Sequence, residues 1–214
     1  MKNVIVKLRF STALILLIGL SIMMYSFTTA KEKGNSNTKE NCYFTEVSEK
    51  KSSERKENFL ATWQVSKTYT LQVIDAMPSS KFNYKPVKVD SVRTFAQQFK
   101  HLGGILQGMN SIFLNDQPPV APPSDFEKTG LTKSEIKEFV SASFDAVTKT
   151  VKGMSDNDLK EKRTMIFMPN KPDYSKYAYL DFMREHTAHH RAQTLVYLRL
   201  NRITPPAQQY FPIK

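Results

Sequence analysis

The segment from Tyr174 to Asn201 constrains the fold more than any other part of the chain. Its apolar residues recur at three- and four-residue intervals and Pro205-Pro206 blocks any continuation, which predicts one long helix. At about 100° per residue, Tyr179, Phe182, His186, His190, Gln193, Tyr197 and Leu200 fall in one sector and read as the core-facing stripe. His186 and His190 are one turn apart, so their imidazoles project from the same face. Unpartnered imidazoles on a buried face are costly. The fold therefore has to wrap other helices around this one and supply something for the two rings to bind.

The rest of the chain reads as helices of matching length. One pattern starts near Glu54, carries Phe59, Leu60, Trp63, Leu71, Val73 and Ile74, and stops before Pro78. After a connection containing Pro86, Ser91 offers an N-cap for a second helix running to about Leu114, with Phe95, Phe99, Leu102, Leu106, Met109 and Phe113 as its stripe. Gly103, Gly104 and Gly108 interrupt it, each costing up to about 1 kcal/mol in a helix interior. They could serve close helix packing, a bend, or room for a ligand. Residues 115–130, with four prolines, read as a surface loop. Thr132 and Glu135 form a capping-box pattern that opens a third helix to about Met154. Residues 160–172 are less regular, with Thr164 to Met168 as a short extended piece. Four long amphipathic helices, no internal repeat and 40% apolar residues predict an all-α four-helix bundle over residues 54–214.

The N-terminus is of another kind. Lys2, Lys7 and Arg9 precede an apolar run from Ala13 to Met24, and Thr28-Thr29-Ala30 supplies small residues before Lys31-Glu32-Lys33. This is the pattern of a signal peptide over residues 1–30. The run from Phe10 to Phe27 is also near the length that spans a bilayer, so an uncleaved N-terminal anchor is the alternative. Either way the remainder is expected to be exported, or held on the outer side of the cytoplasmic membrane, with membrane contact only through that segment. Residues 31–53, rich in Lys, Glu, Ser and Asn, read as a disordered linker. The formal charge of +11 falls to 28 basic against 20 acidic residues once Lys2, Lys7 and Arg9 are removed. With no arginine-rich helix or interleaved basic and aromatic patch, this balance reads as solubility, and nucleic acid is not expected as a partner. Cys42 is the single cysteine, so no intramolecular disulfide forms; it follows polar residues instead of the apolar run, unlike a lipoprotein cysteine.

A divalent metal would resolve the burial of His186 and His190, because neutral imidazole nitrogens are ligands for zinc, nickel, copper or iron. Two ligands are too few. His189 lies about 100° from His190 and pairs more naturally with Glu185, so it reads as structural or exposed. The remaining histidine, His101, sits mid-way along the second helix at the edge of its stripe, where a hydrogen-bonded core role is the ordinary alternative. There is no Glu after His186, so this is not the H-E-x-x-H pattern of metalloproteases.

The stretch Met77 to Pro86 (MPSSKFNYKP), then Phe95 to Phe113 with its central His101, resembles the first half of the DinB-like superfamily. His186 to Gln193 (HTAHHRAQ), continued by Tyr197 to Asn201 and Pro205-Pro206, resembles that family's closing signature. The likeness covers roughly residues 54–211. Ala192 stands where relatives more often have Gly, and Lys85-Pro86 where they have Arg-Pro. The resemblance implies an up-down-down-up bundle and one divalent metal held by His101, His186 and His190. It places Arg191 and Gln193 in roles that orient the helix and the ligands, with satisfaction of buried polar groups as the alternative.

Relatives of this kind imply a metal-dependent transferase acting with a low-molecular-weight thiol, or a hydrolase if water is the nucleophile. Zinc or nickel is the expected metal, with iron as an alternative, and the substrate a small molecule. The competing expectations are a non-catalytic metal-binding bundle and an envelope interaction or stress-associated protein; a homodimer is left open. No carboxylate can be assigned as a general base.

Overall fold

The computed structural model describes residues 37–120 and 130–212; the expected signal segment, linker residues 31–36 and residues 121–129 of the proline-rich loop lie outside them. Asn41–Lys214 forms one compact unit. Among the described residues the chain runs α1 (Asn37–Ala76), a 3-10 turn (Ser79–Lys81), α2 (Phe95–Met109) prolonged by a π-turn (Asn110–Leu114), α3 (Lys133–Gly153), the short α4 (Asp156–Lys160), β1 (Lys162–Thr164), β2 (Asp173–Ser175) and α5 (Lys176–Leu200).

Several boundaries differ from the sequence expectation. Helix α1 begins at Asn37, so residues 37–53 are helical in backbone where a disordered linker was expected. Their Lys and Glu are poor core formers but good helix formers, and extending an existing helix adds a hydrogen bond for each residue fixed. Helix α2 is capped by Thr94, not Ser91: the Thr94 hydroxyl accepts from the Gln97 amide while the Gln97 side chain accepts from the Thr94 amide. Residue 97 is a glutamine, whereas three residues after Ser91 stands Thr94 itself, so only Thr94 can close the reciprocal pair. The expected capping box of Thr132 and Glu135 opens α3. A third box, Ser155 with Asp158, starts the unforeseen α4.

The extended piece lies slightly earlier than expected. β1 and β2 pair antiparallel, Arg163 opposite Tyr174, and residues 165–172 form the tip of the hairpin. The Met165 amide donates to the Pro172 carbonyl at 2.8 Å and the Met168 amide turns back to Met165. Turn bonds at the Met168 amide and carbonyl therefore end the pairing before the apolar run that was expected to be extended.

Cross-contacts fix the directions of the long helices. On α1, Lys56, Trp63 and Lys137's partner Asp75 meet successively earlier parts of α3, at Met154, Phe144 and Lys137, so these helices are antiparallel. Arg55 meets Asp181 and Ser66 meets Arg191, so α5 runs with α1. Gln98 reaches Gln193 while Phe113 stacks on Tyr179, which makes α2 antiparallel to α5. The result is an up-down-down-up four-helix bundle. Its core is built around Trp63, stacked between Phe59 at 5.4 Å and Phe144 at 4.4 Å, together with Tyr69, Phe95, Phe99 and Leu102. Gly103 belongs to this packing: a Cβ there would lie 2.5 Å from the Phe139 ring of α3, while one at Gly108 would meet nothing within 4 Å. Close approach of α2 to α3 is thus the role of Gly103.

Candidate metal centre

The bundle brings His101 of α2 against His186 and His190 of α5. Each offers a ring nitrogen, and these atoms all lie within 4.8 Å of one another, so the three could hold one ion. Ring centroids are 4.5 Å apart for His186 and His190, 4.9 Å for His101 and His190, and 5.5 Å for His101 and His186. His190 is buried and the other two are half-buried. Burial, and then the neighbouring imidazoles, push His186 down to about 4 and His190 to about 3. Both are neutral at pH 7, the form in which imidazole donates a lone pair.

The residues fit a metal for a structural reason. The Nε2 atom of His186 is buried and has no hydrogen-bond partner, a position that a buried polar atom rarely occupies unless something else binds it. His190 is held from behind. Its Nδ1 lies 2.6 Å from Oε1 of Gln98, whose Nε2 donates to Oε1 of Gln193 at 2.7 Å and to the Tyr197 hydroxyl at 3.3 Å. The Tyr197 hydroxyl donates in turn to the Arg93 carbonyl at 3.0 Å. Because the amide nitrogen of Gln98 is committed to donating, its oxygen accepts. His190 therefore carries its proton on Nδ1 and keeps Nε2 as a lone pair facing the other histidines.

Gln98 is the residue sequence reasoning missed. It is 2% exposed in the midst of the Phe95, Phe99 and Leu102 stripe, one turn before His101. A lone amide on an apolar face one turn from a candidate ligand was the available signal. Gln193 lies where the resemblance implies, touching the amide that touches His190. Its Nε2 is 2.8 Å from Nε2 of His189, which is exposed, as its helical angle predicts.

Arg191 faces elsewhere. It is buried against α1, with its guanidinium 2.9 Å from Ser66 Oγ, 3.3 Å from Thr70 Oγ1 and 4.6 Å above the Tyr69 ring. These contacts tie α5 to α1, and no contact of Arg191 with the three histidines is among them. The expected stripe of α5 is buried in part, at Tyr179, His190 and Tyr197, and the fully packed line lies to one side of it. Leu180, Met183, Thr187, Thr194 and Leu198 are fully buried, while Phe182 and Leu200 are 38% and 56% exposed. The histidine sector lies about 90° round the helix from that buried line, at roughly 100° per residue. It marks the edge of the interface with α2, with Phe182 stacked on His186 at 5.4 Å.

Two solved structures share this architecture. A DinB-like protein from Bacillus cereus ATCC 10987 matches with a TM-score of 0.56 at 17% identity, over 71% of this chain and 96% of that one. A DinB-like protein from Bacillus subtilis matches with a TM-score of 0.53 at 15% identity, over 73% of this chain and 97% of that one. Identities this low carry the fold alone. No curated protein sequence matches. The family model of the DinB superfamily matches residues 62–194, which include all three histidines and most of the bundle. The chain belongs to the DinB superfamily.

Proposed function

We propose that this protein is a metal-dependent enzyme that transfers a low-molecular-weight thiol onto a small-molecule electrophile, with one divalent ion held by His101, His186 and His190. The observation that carries the reading is the buried, partnerless Nε2 of His186, set beside two further imidazoles whose donor atoms lie within 4.8 Å. A divalent ion held by these three neutral histidines, zinc or nickel first and iron as an alternative, would supply a positive charge that lowers the pKa of a bound thiol or water.

The chain's own residues favour the thiol. Around the donors lie the amides of Gln98 and Gln193, the Tyr197 phenol and the Phe182 ring, and the histidine cluster includes no carboxylate among the described residues. A thiol, with an ordinary pKa of about 8.5, needs less help to lose its proton than water does. In the transfer the thiol releases its proton to solvent, a sulfur lone pair forms the bond to the electrophilic carbon, and the leaving group departs with the electrons of the bond that breaks. Gln98 fixes the tautomer of His190, and Phe182 screens one side of His186 from water.

Export is proposed with it, supported by Lys2, Lys7 and Arg9, the apolar run Ala13 to Met24 and Thr28-Thr29-Ala30. A second reading follows from the placement of the ligands on two helices: an ion there also cross-links α2 to α5 and could serve stability alone. Metal analysis of the purified protein, with a thiol-transfer and hydrolysis screen on parent and His101→Ala, separates the two. The enzyme reading expects one equivalent of metal and turnover that disappears in the variant. Metal whose removal lowers the melting temperature, with no turnover in either form, favours the cross-link. Absence of stoichiometric metal sinks both.

A further inference from the structure

Five of the large apolar side chains left exposed among the described residues are Ile166, Phe167, Met168, Tyr174 and Phe182, and they gather around the β1–β2 hairpin and the start of α5. They are not spread flat. A cavity of about 440 Å³ opens between the hairpin and the bundle, walled by Met109, Met165, Phe167, Met168, Tyr174 and Phe182. That size falls in the range of small-molecule sites, and the lining carries no charged side chain. Three methionines, flexible and polarizable, can follow the outline of more than one apolar group.

The wall is held in place. Arg163 of β1 grips Asp116 through two charged hydrogen bonds, the Tyr179 hydroxyl donates to the Arg163 carbonyl at 2.7 Å, and Tyr179 stacks on Phe113 at 4.3 Å. The cavity therefore exists before anything enters it. Its other decisive feature is a shared partition: Phe182 lines the cavity and also stacks on His186. A group lodged in the cavity is parted from His186 by the Phe182 ring, which tells what kind of occupant fits.

We infer that this cavity receives the uncharged hydrocarbon or aryl portion of the small molecule whose reacting atom lies at the three-histidine centre. The inference rests on the proposed function for the second half of that statement, while the cavity itself is independent of a metal. It assigns substrate class: an apolar group on one end, a sulfur or electrophilic carbon at the other. Charged head groups are excluded from this side, because the lining could not compensate their lost hydration.

Chain-length series test both halves separately. Straight-chain alkanols from butanol to octanol, titrated into metal-free protein, are expected to tighten by about fourfold per methylene until the cavity fills. Alkanethiols titrated into metal-loaded protein are expected to show the same dependence. Ala178→Phe, which places a ring in the cavity from its helical wall, should flatten both series while leaving the far-ultraviolet dichroism unchanged. Phe167→Ser, at an exposed tip position whose ring meets Phe113 edge-on, should weaken the longer ligands selectively while the far-ultraviolet dichroism stays unchanged. Affinity independent of chain length in both series overturns the inference, as does a dependence that survives Ala178→Phe. So does finding the hairpin buried in a dimer that Phe167→Ser dissociates. If alkanols behave as expected but the thiols show no length dependence, the cavity does not serve the histidines and the inference is overturned in that half. Failure to load any metal would remove the proposed function while the alkanol series still reports on the cavity.

Discussion

Replacing Gln98 by leucine isolates the contribution of the amide that holds His190. The two side chains are similar in size, and Gln98 is 2% exposed, so the change removes hydrogen bonds with little change in packing. Two consequences follow. His190 Nδ1 and Gln193 Oε1 lose partners at 2.6 and 2.7 Å. Each buried orphan costs about 1–3 kcal/mol, partly recovered where Gln193 can turn toward solvent. Metal affinity falls as well, because the histidine is no longer fixed in its Nδ1-protonated tautomer; groups in this position are worth about 10–100-fold in affinity. The assay is a chelator competition on metal-loaded protein at pH 7.5, with thermal unfolding of the metal-free form alongside. Gln98→Glu supplies the counter-test: a carboxylate in the same place accepts the Nδ1 proton more strongly, so its affinity should equal or exceed the parent's. Metal affinity unchanged in Gln98→Leu, with the fold intact, would refute the argument that this amide prepares His190 as a ligand.

Gly103→Ala should lower stability by about 1–3 kcal/mol through overpacking against Phe139, whereas Gly108→Ala should leave it unchanged or raise it by up to about 1 kcal/mol; thermal or urea unfolding of the pair decides. Arg191→Ala should lower the melting temperature, through the lost contacts to Ser66, Thr70 and Tyr69, while one equivalent of metal is still bound by elemental analysis. The metal-free protein should lose stability on acidification. His186 and His190 have folded values of about 4 and about 3 against 6.5 unfolded, so the unfolded chain takes up protons first, and stability present above pH 6.5 declines as pH falls toward 4 and then 3. His190→Asn should flatten that decline in melting curves collected across this range.

What the sequence made legible was local and periodic. The final helix, the Thr132 and Glu135 capping box and the placement of His186 with His190 on one face all follow from spacing. The same spacing misplaced the packed line of α5. Centring the stripe on the histidines drew it through Phe182 and Leu200, both exposed, and left out Leu180, Met183, Thr187, Thr194 and Leu198. Thr187 and Thr194 are fully buried since their hydroxyls donate to the Met183 and Arg191 carbonyls of the same helix at 2.7 Å, which leaves methyl groups to pack. The partner of His190 could not be read from periodicity, because it depends on which residue of α2 lies opposite. Nor could the cavity, which exists only once the hairpin tip of Ile166 to Met168 is brought beside Phe182.

That displacement of the packed line bears on what the centre can do. Small threonines occupy the middle of the α5 interface and let the helices close, so the bulkier imidazoles stand at its edge. Helix α5 is fixed in rotation from two sides, by Arg191 against Ser66 and Thr70 of α1 and by His190 against Gln98 of α2. The two donors on α5 are thus oriented by the packing of the bundle. Yet His101 and His186 remain half-exposed. Ions that only cross-link helices are closed off by four protein ligands, whereas three ligands at a half-open edge leave a position that a substrate can reach. Pre-set donors on the bundle side and an apolar cavity across Phe182 are the two surfaces on which the proposed thiol transfer rests, and the metal-removal experiment separates it from a structural cross-link.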